Sequence, residues 1–226
     1  MIGPFALAVL DMAGTTVRDD GAVDAAFTQA LAAVGVEAGS ERYQTAHKYV
    51  LETMGKSKSD VFAALLDPED AATATKTFAQ AYEAIVAGGS ITAVPGAVEV
   101  FDQLRTQGVK VCLTTGFAPS TRDALIASLG WADRIDLALS PADVGRGRPA
   151  PDLIFGAMER LGVSDPNAVV VVGDTTSDLE AGDNAGAGAV IGVLTGAHDL
   201  ATLGTAPHTA LIDDITQLIG VLSDSD

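Results

Sequence analysis

The chain carries a single cysteine, Cys112, in 226 residues. No disulfide can form within one copy, so the fold must rest on packing alone. Cations are scarce: 13 Lys and Arg stand against 30 Asp and Glu, for a formal net charge of −17. A field of that sign repels phosphate backbones and anionic lipid, which argues against nucleic-acid or membrane-surface partners. An anionic substrate would therefore need a local positive site. Long apolar runs are missing as well. None approaches the ~20 residues of a membrane-spanning helix, and no basic-then-apolar segment marks a secretory leader. These absences lead us to expect a soluble intracellular protein of the cytoplasm, where a reducing milieu suits a lone thiol. Cys112 lies in the apolar run VKVCL and reads as a small buried hydrophobe.

What the chain does have is a series of short apolar runs. They are FALAVL (5–10), VKVCL (109–113), IDLAL (135–139), AVVVV (168–172), GAVIGVL (188–194) and TALI (209–212). Runs that are apolar at nearly every position suit parallel strands buried on both faces. Helix-like segments separate them, which is the α/β pattern of a doubly wound parallel sheet.

The stretch from about 17 to 91 departs from this pattern and predicts four helices. In the first, Phe27, Ala30, Leu31 and Val34 share one face, and Gly35 marks the stop. In the second, Tyr43, Ala46, His47, Val50, Leu51 and Met54 form a stripe behind the candidate cap Ser40, which gives His47 a core role. A third starts near Ser57 or Ser59, with Lys58 on the loop before it. A fourth has Asp67 as cap and Pro68 at its first position, and ends at Gly88. We therefore expect an α/β core of residues 1–16 and 92–226, interrupted by a helical domain of residues 17–91. The tail SDSD (223–226) is expected to fray.

In a doubly wound sheet, ligands gather beyond the carboxyl ends of the strands. Asp11 follows the first run, and Thr114, Thr115 and Gly116 follow the second. GRGRPAPD, with Arg146 and Arg148, precedes a later helix, and GDTTSD, with Asp174 and Asp178, follows AVVVV. Each is weak alone: Asp11 could be a helix cap, and Arg146 or Arg148 a surface ion pair. Together they place carboxylates, hydroxyls and an arginine on one rim. Carboxylates hold a hard cation, arginine and hydroxyl donors hold phosphoryl oxygens, and one carboxylate remains as nucleophile. Gly116, Gly173 and Gly186 read as turn residues.

These motifs resemble those of the haloacid dehalogenase superfamily. DMAGTT is similar to its first motif, LTTG (113–116) to its second, GRGRPAPD to its third and VVGDTTSDLEAGDNAGA to its fourth. The helical segment falls where that superfamily places a type-one cap. The resemblance implies a Rossmann-like core and an aspartyl-phosphate formed on Asp11. It also implies a phosphoryl group bound at Thr114, with Thr115 and Gly116, and balanced by Arg148. Mg2+ would be held by Asp11, Asp174 and the Ala13 carbonyl, with Asp178 in support.

Most phosphatases of that superfamily carry Asp at the position of Ala13, where it transfers a proton worth roughly 10²–10⁴-fold in rate. Alanine cannot. The phosphonatase subgroup has a similar DxAGT, an arginine in its third motif and GDTxSD. In it a cap lysine condenses with an aldehyde so that a C–P bond can break. The lysine of its MGxxK segment corresponds to Lys58 in MGKSK (54–58), with Met54 and Gly55 against the substrate; Lys56 fits the spacing less well. Schiff-base chemistry needs a neutral, desolvated amine. The chain departs from that subgroup at Val61, where it has histidine, and at Phe117, where it tends to have tyrosine. His198, in LTGAHD, is a further candidate to line the site, and His208 is not.

The leading expectation is thus a Mg2+-dependent phosphonatase-like hydrolase of a small phosphonate. The alternatives are a phosphate-ester hydrolase or phosphosugar mutase, and a binding protein that has lost catalysis. The resemblance also implies a homodimer paired through the cap, where Tyr43 and Tyr49 are candidates for exposure.

Overall fold

The computed structural model describes residues 3–223. Six strands form one parallel sheet: β1 (Leu7–Asp11), β4 (Lys110–Thr114), β5 (Leu137–Leu139), β6 (Val169–Gly173), β7 (Ala189–Val193) and β8 (Ala210–Ile212). Their order is β5-β4-β1-β6-β7-β8, so β1 lies inside the sheet, with β4 and β6 on either side. Each of the six apolar runs supplies one of these strands. All five residues of β1 are buried, and the side chains alternate between faces. Leu7 and Val9 join a cluster with Leu153 and Ile154 of α7 (Asp152–Leu161) and Ala181 of α8 (Thr176–Ala185). Ala8 and Leu10 join the larger cluster, which includes Phe101 of α5 (Ala97–Thr106). Cys112 is buried as expected. Helices α6 (Pro119–Leu129), α9 (Leu200–Leu203) and α10 (Leu218–Ser223) complete the layers. Three of the four tail residues lie outside the described residues.

The strand order reverses direction at β1. The chain runs outward from β1 through β4 to β5, then crosses back to β6 on the other side. That switch brings the carboxyl ends of β1, β4 and β6 together and opens a crevice over them.

After β1 the chain makes the two-residue strand β2 (Val17–Arg18), passes through four helices, and returns as β3 (Thr92–Ala93). β2 and β3 pair antiparallel, Val17 with Ala93 and Arg18 with Thr92. The sequence had shown no strand there, because two residues carry no periodicity. The helices are α1 (Ala22–Ala32), α2 (Glu41–Glu52), α3 (Lys58–Leu65) and α4 (Pro68–Ala87). Ser40 and Asp67 cap α2 and α4: Ser40 Oγ accepts from Tyr43 N at 3.1 Å, and Asp67 Oδ1 accepts from Asp70 N at 3.0 Å. Phe27 and Phe78 join α1 to α4 at a ring distance of 4.8 Å.

Three expectations change. The stripe on α2 is narrower than the pattern suggests: Ala46 and Val50 are buried, but Leu51 is 52% exposed. His47 does not belong to the core; its Nε2 lies 2.6 Å from Asp24 on a half-open surface, and its ring stacks on Tyr43. Lys58 is the first residue of α3 rather than part of the loop before it.

Candidate active site

Asp11 is the last residue of β1, and its partner in the sheet register is Thr114 at the end of β4. Beyond it the backbone turns tightly. Thr15, Thr16 and Val17 all donate N–H to the Met12 carbonyl, and Thr16 Oγ1 donates to the Asp11 carbonyl at 2.9 Å. Gly14 takes φ +93° in this turn, and an added Cβ would lie 2.4 Å from an Asp174 oxygen. Only glycine lets the first loop come that close to the fourth.

β6 ends at Gly173, so Asp174 follows at the same rim. Thr175 then caps α8 in a reciprocal box with Asp178: Thr175 N donates to Asp178 Oδ2 at 3.1 Å, and Asp178 N donates to Thr175 Oγ1 at 3.4 Å. Arg148 enters from the loop before α7. Its Nη1 donates to Asp11 Oδ1 at 2.6 Å and also to Asp178 Oδ1. Arg148 Nε has no hydrogen-bond partner among the described residues. Asp174 accepts from Thr15 Oγ1 at 3.2 Å and from Ala197 N at 2.7 Å. Arg146 is different: it is 72% exposed on its side chain and pairs with Asp152 at the surface.

All of this is buried, and burial dominates the electrostatics. It raises the Asp11 carboxyl above its usual range, against the opposing pull of the Arg148 charge. Asp174 is pushed up to about 7, first by burial and then by the neighbouring Asp11 charge. The site is thus short of positive charge. Among the described residues, no three carboxylates or imidazoles stand together as a ready metal cage. Both Asp178 oxygens are taken, by Arg148 and Thr175. Asp11 and Asp174, two buried carboxylates of which the first raises the proton affinity of the second, still suit a magnesium ion that takes one or two carboxylates and fills its shell with water and phosphoryl oxygens. Asp178 acts by holding Arg148 and the start of α8.

Facing this rim is the loop between α2 and α3. Lys58 N donates to the Gly116 carbonyl at 3.2 Å, which ties the helical insert to the loop after β4. Gly55, at φ +84°, packs so close that an added Cβ would be 2.3 Å from Thr175 Oγ1; one on Gly116 would be 2.4 Å from the Lys56 carbonyl. The two glycines let the insert seat directly on the core. What remains is a chamber of about 30 Å³ between Asp11, Arg148, Lys58, Ala13, Met54 and Phe117. Gly55, Thr115, Gly116 and Asp174 also border it. Such a space holds about one or two waters.

Lys58 is only 7% exposed. Its Nζ lies 5.3 Å from the Phe27 ring centre, 5.8 Å from Phe78 and 5.6 Å from Phe117, and it has no hydrogen-bond partner among the described residues. Its pKa is lowered to about 8, mainly by burial and next by the Arg148 charge, while Asp11, Asp19 and Asp174 pull the other way. The surface-lysine reading of Lys58 is excluded.

A family model for haloacid dehalogenase-like hydrolases matches residues 5–186. The chain belongs to that family. A phosphonoacetaldehyde hydrolase of Bacteroides fragilis is 34% identical over 116 residues, covering 51% of this chain and 44% of the relative, so the match spans less than half of that protein's length. A probable phosphatase, IndB, of Dickeya dadantii is 27% identical over 95% of this chain and 92% of its own. Among solved structures, a phosphonoacetaldehyde hydrolase-like protein from Oleispira antarctica superposes with a TM-score of 0.84, at 26% identity, over 99% of this chain and 93% of that one.

In this hydrolase, then, Asp11, Ala13, Met54, Gly55, Lys58, Thr115, Gly116, Arg148 and Asp174 meet at one chamber. Thr114 is buried beside Asp11 but is not among the residues that line the chamber, and its hydroxyl has no hydrogen-bond partner among the described residues. Val61 is buried and does not line the chamber; it borders a neighbouring cleft with Lys56 and Arg148. His198 Nδ1 accepts from Thr176 N at 3.1 Å and borders a cleft of about 830 Å³ that opens beyond Ala13 and Asp174. Sequence reasoning passed over Thr15, Thr175 and Ala197, which hold the carboxylates, and Phe27 and Phe78, which surround Lys58. The T-x-x-D of 175–178 was a readable capping signal. Phe27 and Phe78 carried no signal beyond ordinary core spacing.

Proposed function

We propose that this hydrolase cleaves the carbon–phosphorus bond of phosphonoacetaldehyde or a related 2-oxoalkylphosphonate. One observation carries the reading: a buried Lys58, whose amine has no hydrogen-bond partner among the described residues, borders the same small chamber as Asp11, while the residue two positions after that nucleophile is Ala13. An ester needs a proton on its leaving oxygen, and Ala13 has none to give. A carbon leaving group needs an electron sink instead, and an amine can make one.

The neutral Lys58 amine adds to the carbonyl, and the carbinolamine takes up one proton from solvent water as it expels water, leaving a cationic iminium. An Asp11 carboxylate oxygen attacks phosphorus. The C–P bond breaks, its electron pair forms the C=C bond of an enamine, and the iminium nitrogen becomes neutral. The enamine takes a proton on carbon, and water releases the aldehyde from Lys58. A second water cleaves the aspartyl-phosphate to phosphate and restores Asp11. Arg148, held by Asp178, faces the transferring group and favours the ionised form of Asp11 against burial, and Thr114 and Thr115 add donors. A magnesium ion held by Asp11, Asp174 and the Ala13 carbonyl would neutralise charge on the phosphoryl oxygens. The insert of residues 17–91 serves as the cap, and it must lift to admit substrate, since the chamber is smaller than any phosphonate.

The phosphate-ester alternative draws on the full-length similarity to a probable phosphatase. Borohydride separates the two. With phosphonoacetaldehyde present, reduction should fix the substrate carbon on Lys58, seen by peptide mass, and stop phosphate release. Lys58→Arg should abolish both adduct and release. Phosphate release from the phosphonate with no adduct, or brisk turnover of phosphate esters that Lys58→Arg leaves intact, would sink the phosphonatase reading. Because the amine must be neutral, kcat/KM for the phosphonate should climb with pH and level off above about 8.

A further inference from the structure

Lys58 faces two opposed demands under the phosphonatase reading, on which this inference rests. The amine must be uncharged to attack, and the iminium it becomes is a cation. An acceptor bonded to Nζ would serve the second demand and defeat the first, since it would hold the ammonium proton. No acceptor is present. Three aromatic faces surround Nζ instead, within 5.3–5.8 Å. Rings exclude water, and their negative faces attract whichever cation forms, ammonium or iminium, without a hydrogen bond that pins a proton on nitrogen.

The rings come from both halves of the molecule. Phe27 and Phe78 belong to the insert, on α1 and α4; Phe117 belongs to the core loop after β4. Tyr82 packs behind Phe117 at 4.6 Å and fixes its position. The box is complete only when the insert is seated. Phe117 also borders the chamber itself, with Met54 and Val23. The charged groups that act on Lys58 are Arg148, Asp11, Asp19 and Asp174. Arg148 Nη1 is committed to the phosphoryl end by Asp11 and Asp178, so a carboxylate on the substrate's carbonyl carbon would lie against apolar walls and the negative face of a ring, beside an amine whose ammonium form it would stabilise.

We propose that Phe27, Phe78 and Phe117 are specificity-determining residues. They form an aromatic box that stabilises the iminium on Lys58 and restricts the substrate to aldehydes and methyl ketones, excluding phosphonates that are also 2-oxo acids.

The test compares borohydride trapping of phosphonoacetaldehyde, 2-oxopropylphosphonate and 3-phosphonopyruvate in the wild type and in Phe117→Leu and Phe117→Tyr, across pH. The wild type should trap the methyl ketone at least about 100-fold faster than the 2-oxo acid, the scale set by an unpaired buried charge. Phe117→Leu keeps the bulk and loses the ring. It should trap the methyl ketone about tenfold more slowly, move the acid limb of the pH profile downward because the ammonium also loses a ring face, and narrow the discrimination. Phe117→Tyr keeps a ring face and should stay within about threefold of wild type. If Phe117→Leu is poorly folded by thermal melting, Phe78→Leu provides the same comparison. Wild-type trapping with an unchanged rate, limb and discrimination in the leucine variants overturns the box alone. Absence of any wild-type adduct overturns the lysine reading beneath it.

Discussion

On the core side of the chamber every charged group is tied down. Asp11 and Asp178 share Arg148, Asp178 is locked by Thr175, and Asp174 is held by Thr15 and Ala197. On the insert side the Lys58 amine has no hydrogen-bond partner among the described residues and rests among ring faces. The difference follows from what each side must do. A phosphoryl group arrives and leaves with its charge, so fixed countercharges can wait for it. A nitrogen that passes from amine to iminium to enamine changes charge at each step, and a fixed partner would favour one state over the rest.

The comparison can be broken from either side. The largest effect belongs to Asp11. Asp11→Asn should lower phosphate release from any substrate on the order of 10⁴-fold or more, with no phosphoenzyme by intact mass. Ala13→Asp would give the core side the proton donor it lacks; phosphate-ester hydrolysis should rise about 10²-fold with no gain in C–P cleavage, measured on paired substrates.

The charge deficit on the core side has a thermal signature. Asp174 titrates near 7 when folded, against 3.8 for a free carboxyl. The folded state therefore holds its proton more tightly, and the stability from this group is present at low pH and lost as pH rises from about 4 to 7. Metal-free protein should melt lower at pH 8 than at pH 5 on this account. Magnesium at 100 times its Kd should raise the pH 8 melting temperature by several degrees, roughly 5 °C. In Asp174→Asn that magnesium shift should vanish, and the metal-free protein should melt higher than wild type. The smallest effect concerns the layer behind the box. The Tyr82 hydroxyl is buried without a partner, and Tyr82→Phe should stabilise the fold by about 1 kcal/mol, seen as a small rise in melting temperature.

The two sides also differed in how well the sequence announced them. The core side was legible because strands buried on both faces leave unbroken apolar runs, and Asp11, Thr114 and Asp174 sit where those runs end. The arginine choice was less so: Arg146 and Arg148 look alike in GRGRPAPD, and only the fold sends one to Asp152 at the surface and the other to Asp11. On the insert side, the spacing from Met54 singled out Lys58, but its burial depends on Phe27, Phe78 and Phe117, which lie far apart along the chain. The same limit misplaced His47 and Leu51. A helical stripe tells which residues share a face, and it does not tell how much of that face a neighbour covers.

The seam between insert and core has a consequence for chimeras. Gly55 and Gly116 stand on opposite sides of it, and neither has room for a methyl group. Clearance at the seam is therefore a joint property of two pieces of chain that lie far apart in sequence. An insert borrowed from a relative will seat on this core only if its own residue at position 55 is as small, and this insert will seat only on a core that keeps a glycine at 116. Exchange of inserts between family members, whether by recombination or by design, is thus limited first by fit at two backbone positions and only afterwards by the chemistry each partner carries.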